Sequence, residues 1–255
     1  MKISLLFPGQ GSQSVGMGKA LYDANPAAKD VFDQADAVVT SLTSVIFEGP
    51  AEKLTSTQYC QPAIFTVSMA ALAALKSSGK LDQYEIVCAA GHSLGECSAV
   101  TAAGALSFEQ GLKLVCQRAK HMEAATQQAK GSMAAVIGLE RVKLEEVCAS
   151  ADIQAANYNS PDQIVVTGAA DKVQAAIPQL EAAGAKRVIP LPVSGAFHSR
   201  LMQPAQDAFT QDLAALDFQT PRFPIISNVD AQATDSPAKI ASHLAQQITS
   251  SVLWV

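Results

Sequence analysis

The sequence predicts an α/β protein in which a large domain, with a mainly parallel sheet flanked by helices, carries a smaller inserted α+β subdomain. Three observations carry that prediction. An apolar run from Glu85 to Ala90 stops at Gly91-His92-Ser93-Leu94-Gly95 and passes straight into a second apolar, helix-like stretch. From Gly131 to Leu191 the periodicities read strand, helix, strand, strand, helix, strand, the order of a ferredoxin-like unit. Apolar residues make up 49% of the 255 and aromatics only 5%, which favours close-packed helices over an all-β fold. A chain of this length can form one large domain bearing an insert.

Taken in order, residues 2–7 read as a buried parallel-type strand ended by Pro8-Gly9. The loop Gly9-Gln10-Gly11-Ser12-Gln13 leads into a helix from about Met17. Two phosphate-loop motifs are absent here. Ser14 stands where the dinucleotide fingerprint needs glycine, and Ala20 follows Gly18-Lys19 where a P-loop needs Ser or Thr. Asn25-Pro26 opens a helix to about residue 38, and Gln61-Pro62-Ala63 starts a long apolar helix that Ser77-Ser78-Gly79 breaks. Ser107 caps a helix from Phe108 to about Gln127. Strands at 133–139, 153–157, 163–167 and 187–191 then enclose helices at 142–150 and 170–183. The expected division is therefore 1–124 and 196–255 for the large domain and 125–195 for the ferredoxin-like subdomain. Beyond the insert lie the Gly195–Ser199 loop, a helix near 202–216, the apolar run Phe223–Asn228 and a helix near 237–248.

Composition excludes several classes of function. A net charge of −5 with no basic run argues against a nucleic-acid binder. The apolar start, Met1 to Phe7, meets Pro8-Gly9 too soon for a signal segment, and no stretch is long enough to span a membrane. Five scattered cysteines without C-x-x-C spacing indicate reduced thiols in a cytoplasmic protein, and no metal site is expected.

The chemistry centres on Ser93. Its G-x-S-x-G setting is a sharp strand-to-helix turn, typical of an α/β-hydrolase-like core, that presents the hydroxyl at a strand end. The following helix start offers free N–H groups to a developing oxyanion. A nucleophilic serine needs a base, and there are four histidines. His92 adjoins Ser93 and points away from it, His121 lies among charged helix residues, and His243 is in a polar terminal helix. His198 sits in a small-residue loop, where a packing role and a catalytic one are both open. Arg118 is flanked by Leu114, Val115, Cys116 and Ala119. It is either a snorkelling surface arginine or a charged fork for a carboxylate. Asp162 and Asp171 fall between Ser93 and His198 as a triad acid would, but occupy turn and helix-start positions of the insert, and no HGGG-type loop precedes the elbow.

Six motifs occur in order: Phe7-Pro8-Gly9-Gln10-Gly11-Ser12-Gln13, Gln61-Pro62-Ala63, Gly91-His92-Ser93-Leu94-Gly95-Glu96, Arg118, Asn157-Tyr158-Asn159-Ser160-Pro161 and Gly195-Ala196-Phe197-His198-Ser199. With them the chain resembles the malonyl-CoA:acyl-carrier-protein transacylase family, which includes the acyltransferase domains of polyketide synthases. The resemblance implies Ser93 as nucleophile, His198 as base, and backbone N–H groups of Gln10 and Leu94 as oxyanion hole. It implies that Arg118 clamps the malonyl carboxylate, that Gln61, His92 and Phe197 line the acyl pocket, and that the Gln247 carbonyl orients His198 in place of an acid. Phe197 in the Gly-Ala-Phe-His tetrapeptide implies malonyl rather than methylmalonyl. No cofactor is implied, since malonyl-CoA is a substrate. The partner implied is an acidic acyl carrier protein in fatty acid or polyketide synthesis, for which Lys186, Arg187 and Arg200 are the expected basic contacts.

Two departures from the family accompany the resemblance. Its members usually run some tens of residues further, so the large domain is expected to be truncated at its C-terminal end. Ser251 stands where a proline is common. Two other functions stay open: an acyl hydrolase or thioesterase on the same fold, and a non-catalytic acyltransferase-like subunit.

Overall fold

A computed structural model describes residues 1–193 and 195–255. The chain begins with β1 (Lys2–Phe7), followed by helices α1 (Lys19–Ala24), α2 (Pro26–Val38), α3 (Leu42–Glu48), α4 (Ala51–Thr55) and α5 (Thr57–Ser77). Then come β2 (Glu85–Gly91), α6 (Leu94–Ala102), α7 (Phe108–Gln128), β3 (Gly131–Ile137), α8 (Arg141–Ala151), β4 (Gln154–Ser160), β5 (Gln163–Ala169), α9 (Ala170–Ala182) and β6 (Arg187–Pro190). The last elements are α10 (Gln203–Ala214), β7 (Ile225–Ile226), β8 (Ala233–Thr234), α11 (Pro237–Gln247) and β9 (Val252–Leu253). Two compact units divide the chain, one of residues 1–120, 212–227 and 232–242, the other of 121–211, 228–231 and 243–255.

In the first unit the sheet order is β1-β2-β7-β8, parallel except for the β7–β8 pair. The β1–β2 register runs to Phe7 opposite Gly91, and His92 N–H donates to Phe7 O at 3.0 Å, which carries the pairing one step into the elbow. Around the sheet, Phe32, Phe65, Leu42, Ile46 and Leu112 are fully buried. Helix α2 starts where Asn25 Oδ1 accepts from the N–H groups of Ala27 and Ala28, with Pro26 in the first turn. A reciprocal cap opens α7: Ser107 Oγ accepts from Gln110 N and Gln110 Oε1 from Ser107 N. Helix α5 begins at Thr57, earlier than the Gln61 expected. Ser56 O accepts from both Tyr59 N and Cys60 N, so a turn is already closed before Pro62 removes one donor. Helices α3 and α4 fall in a stretch where no element was expected. They are too short to show a clear period, and hold on through buried Leu42, Val45, Ile46 and Leu54.

In the second unit the sheet order is β6-β3-β5-β4-β9. The pairs β3–β6, β3–β5 and β4–β5 are antiparallel, and β9 adds parallel to β4, with Val252 opposite Asn157. Helices α8 and α9 cover a core built on Val136, Leu144, Ile153, Ile164, Val166, Val173 and Leu180. Ser251 lies just ahead of β9, and its hydroxyl donates to Ala155 O at 2.6 Å, a bond no proline could make. Asp162 and Asp171 take the structural positions expected. The Asp162 carbonyl accepts from Gly138 N, and Asp171 sits in the first turn of α9.

Candidate active site

Two glycines of the elbow leave no room for a side chain. A Cβ on Gly91 would overlap the Gly95 carbonyl, and one on Gly95 would overlap the Phe7 carbonyl and meet Pro8 O at 2.8 Å. The two glycines thus let the start of α6 sit directly on the ends of β1 and β2. Between them Ser93 is held at φ 50, ψ −106, a conformation unusual for any residue with a side chain. All nine residues of α6 are buried.

Arg118, whose surroundings left two readings open, is 1% exposed. Its Nη1 donates to Gln61 Oε1 at 2.7 Å and its Nη2 to Ser93 Oγ at 3.0 Å. Burial pushes the guanidinium pKa down, opposed by the neighbouring Cys97 and Glu96. Arginine stays charged nonetheless, so α7 places a permanent cation against the serine hydroxyl. Gln61 is 1% exposed on α5, and Glu96 is buried one turn after Ser93. No hydrogen bond within the protein engages the backbone N–H of Gln10 or of Leu94 among the described residues. The Gln10 loop lies against the elbow, since a Cβ on Gly9 would overlap His92 O and approach His92 Nδ1 to 3.1 Å. The first unit therefore gathers Ser93, Arg118, Gln61, His92 and two free backbone donors.

The second unit holds His198, 4% exposed with φ 59. Its Nδ1 lies 2.8 Å from Gln247 O. A carbonyl can only accept, so Nδ1 carries the proton and a neutral ring keeps its lone pair on Nε2. Gln247 is the last residue of α11, where carbonyls lack intrahelical partners and the helix dipole is negative. An acceptor at Nδ1 is what a triad carboxylate usually supplies. The loop around His198 is tightly built: Ser199 Oγ donates to Ala196 O, and a Cβ on Gly131 would overlap Ala196 N. Phe197 is buried, its ring folded over Gly195 beside Thr126.

Sequence reasoning missed Asn228, which is buried and accepts at Oδ1 from Gln247 Nε2 at 3.2 Å while its carbonyl accepts from Leu253 N at 2.9 Å. The only local signal was an amide at the end of an apolar run. Of the basic residues, Arg200 is ion-paired with Asp152, which also takes Lys172. Lys186 lies with its stem over Gly138, and Arg187 is exposed on β6.

The chain matches the acyl transferase domain family over residues 5–254. A malonyl CoA-acyl carrier protein transacylase of Bacillus subtilis (strain 168) is 46% identical over 257 residues, covering 98% of this chain and 80% of the relative. An acyl-carrier-protein-S-malonyltransferase from Bartonella henselae superposes with a TM-score of 0.95 at 42% identity, covering 100% of this chain and 82% of that one. A malonyl-transacylase solved in complex with a type II PKS acyl-carrier protein also gives 0.95, at 35% identity and with 100% and 83% covered. A buried arginine on an elbow serine and a histidine oriented by a carbonyl thus occur in a chain that belongs to the acyl transferase domain family, among its malonyl CoA-acyl carrier protein transacylases.

Proposed function

We propose that the chain moves a malonyl group from CoA to the phosphopantetheine thiol of an acyl carrier protein through an acyl-Ser93 intermediate. The observation that carries this reading is the Arg118 fork, with one Nη on Ser93 Oγ and the other on Gln61 Oε1. In a malonyl thioester a single methylene separates carboxylate from reacting carbonyl. The cation that grips one must therefore stand beside the nucleophile that attacks the other.

In the first half-reaction the carboxylate takes the guanidinium fork and Ser93 Oγ attacks the thioester carbonyl, passing its proton to His198 Nε2. The oxyanion rests on the Gln10 and Leu94 N–H groups, each donor of this kind being worth roughly 10²–10³ in rate. The C–S bond then breaks, and His198 returns the proton to the CoA sulfur. In the second half-reaction His198 deprotonates the carrier thiol, whose sulfur attacks the acyl-serine ester, and Ser93 leaves with the proton. The reaction so written calls on no resident cofactor. Phe197, packed on Gly195 and Thr126, restricts branching next to the carbonyl and favours malonyl over methylmalonyl. Five unpaired thiols suit a reducing cytoplasm, and no helix among the described residues is long and apolar enough to cross a membrane.

Carrier docking falls to basic groups of the second unit. Lys186 and Arg187 keep exposed positions, while Lys172, Arg200 and Asp152 together retain one positive charge. Lys186→Glu with Arg187→Glu is expected to slow transfer to the carrier several-fold at low salt and to spare acylation by malonyl-CoA. Equal loss of both half-reactions would remove these residues from docking. The function itself is tested by intact mass after malonyl-CoA, with and without holo carrier. A stable malonyl adduct on Ser93, discharged by carrier, is expected. Free malonate without a lasting adduct would make the chain a hydrolase, and no adduct at all would make it a non-catalytic subunit.

A further inference from the structure

A backbone N–H serves an oxyanion only if its peptide plane is turned the right way, and the Gln10 N–H belongs to the Gly9–Gln10 peptide. That peptide is trans, so its C=O and N–H point to opposite sides. The C=O side is occupied: Ser12 Oγ donates to Gly9 O at 2.7 Å, and the Ser12 N–H lies 3.4 Å from the same oxygen. The following peptide is held too. Gly11 N–H donates to Gln13 Oε1 at 2.8 Å, and Gly11 has φ +103, open to glycine without strain. Gln13 Oε1 also accepts from the buried Cys60 thiol at 3.2 Å, which moors the loop to α5 one residue before Gln61. With Gly9 packed on the His92 carbonyl, the loop is tied on both sides of the Gln10 N–H.

We propose that Ser12 is a positioning residue for catalysis: by holding the Gly9 carbonyl, its hydroxyl turns the Gln10 N–H toward the reacting carbonyl oxygen. The proposal rests on the reading of Ser93 as nucleophile and of the Gln10 and Leu94 N–H groups as its oxyanion donors. Ser12 is exposed, so loss of its hydroxyl opens no cavity in the core. The effect falls where charge develops on oxygen, in the transition state, and therefore on kcat rather than on KM.

The experiment follows acylation by malonyl-CoA, with quenched-flow and intact-mass readout, in wild type, Ser12→Ala, Ser12→Thr and Gln10→Pro, the last deleting the N–H itself. Ser12→Ala is expected to lower kcat about tenfold, a fraction of the roughly 10²–10³ lost with a whole donor. KM for malonyl-CoA and Tm should stay at wild-type values, and Ser12→Thr, which keeps the hydroxyl, should restore the rate. Wild-type acylation by Ser12→Ala beside a crippled Gln10→Pro would overturn the role of Ser12 and leave the donor assignment standing. A folded Gln10→Pro that acylates at the wild-type rate would overturn the donor assignment and the proposal with it. A Ser12→Ala defect that lowers Tm and is not restored by Ser12→Thr would mark a structural role and equally overturn it.

Discussion

On the proposed reading, Arg118 concentrates the specificity of the candidate site in one side chain. Its guanidinium is buried and donates to Gln61 and Ser93, so in the proposed reaction an acyl group without a carboxylate forgoes the charge-assisted bonds a malonyl group would make there. Hydrogen bonds to charged groups contribute about 1.5–3 kcal/mol, so Arg118→Ala should slow malonyl acylation at least about tenfold and lower the malonyl-to-acetyl preference. Competition between malonyl-CoA and acetyl-CoA, read by mass, checks this, and an unchanged preference would free Arg118 of the role. Arg118→Lys should recover only part of the rate, because an ammonium keeps the charge and loses the planar fork. Gly95 makes the matching prediction for geometry. Its Cβ would overlap the Phe7 carbonyl, so Gly95→Ala should cost about 1–3 kcal/mol in urea denaturation and abolish acylation of Ser93.

Among the elements, α11 would do for His198, in the proposed mechanism, what an acidic side chain does in a triad. Its last carbonyl accepts a hydrogen bond from the Nδ1 N–H. The carbonyl is as well placed as residue 247 is anchored, and the Gln247 side chain is anchored on Asn228. Gln247→Ala keeps the carbonyl and loses the anchor, as does Asn228→Ala. Each should slow acylation and destabilise the fold by about 0.5–1.5 kcal/mol through the lost buried hydrogen bond. The double variant should cost clearly less than the sum, with a coupling of about 0.5 kcal/mol or more in a double-mutant cycle. Strict additivity would show that the two amides do not act together.

At the scale of the whole molecule, the buried thiols set an alkaline limit. From an ordinary value of 9.0, burial pushes Cys60 and Cys148 up to about 12 and Cys97 and Cys116 up to about 11. Above pH 9 the unfolded chain loses these protons while the folded chain keeps them, so the unfolded state binds fewer protons and stability falls as pH rises. Below pH 9 the contribution is complete. Urea midpoints at pH 8 and pH 10 should therefore differ, by up to about 1.4 kcal/mol per thiol for each pH unit. Replacing Cys60 and Cys148 by Ala should flatten the slope, and an unchanged slope would exclude the thiols as its source.

Local information was enough for the elbow, the strand-helix order of residues 131–190 and the capped starts of α2 and α7. In each case the determining contacts lie within a few residues, and periodicity, glycine and caps record them directly. The ordered motifs also indicated the family and its candidate residues. Only the tertiary structure decided that Arg118 is buried, that Nδ1 of His198 carries the proton, and that Asn228 and Ser12 have partners to hold. Gln61 and Arg118 are 57 positions apart, and His198 and Gln247 are 49 apart. A helix face shows that a side chain points inward. What it meets there is chosen by another part of the chain, and a hydrogen-bond partner that distant leaves no local trace in the sequence.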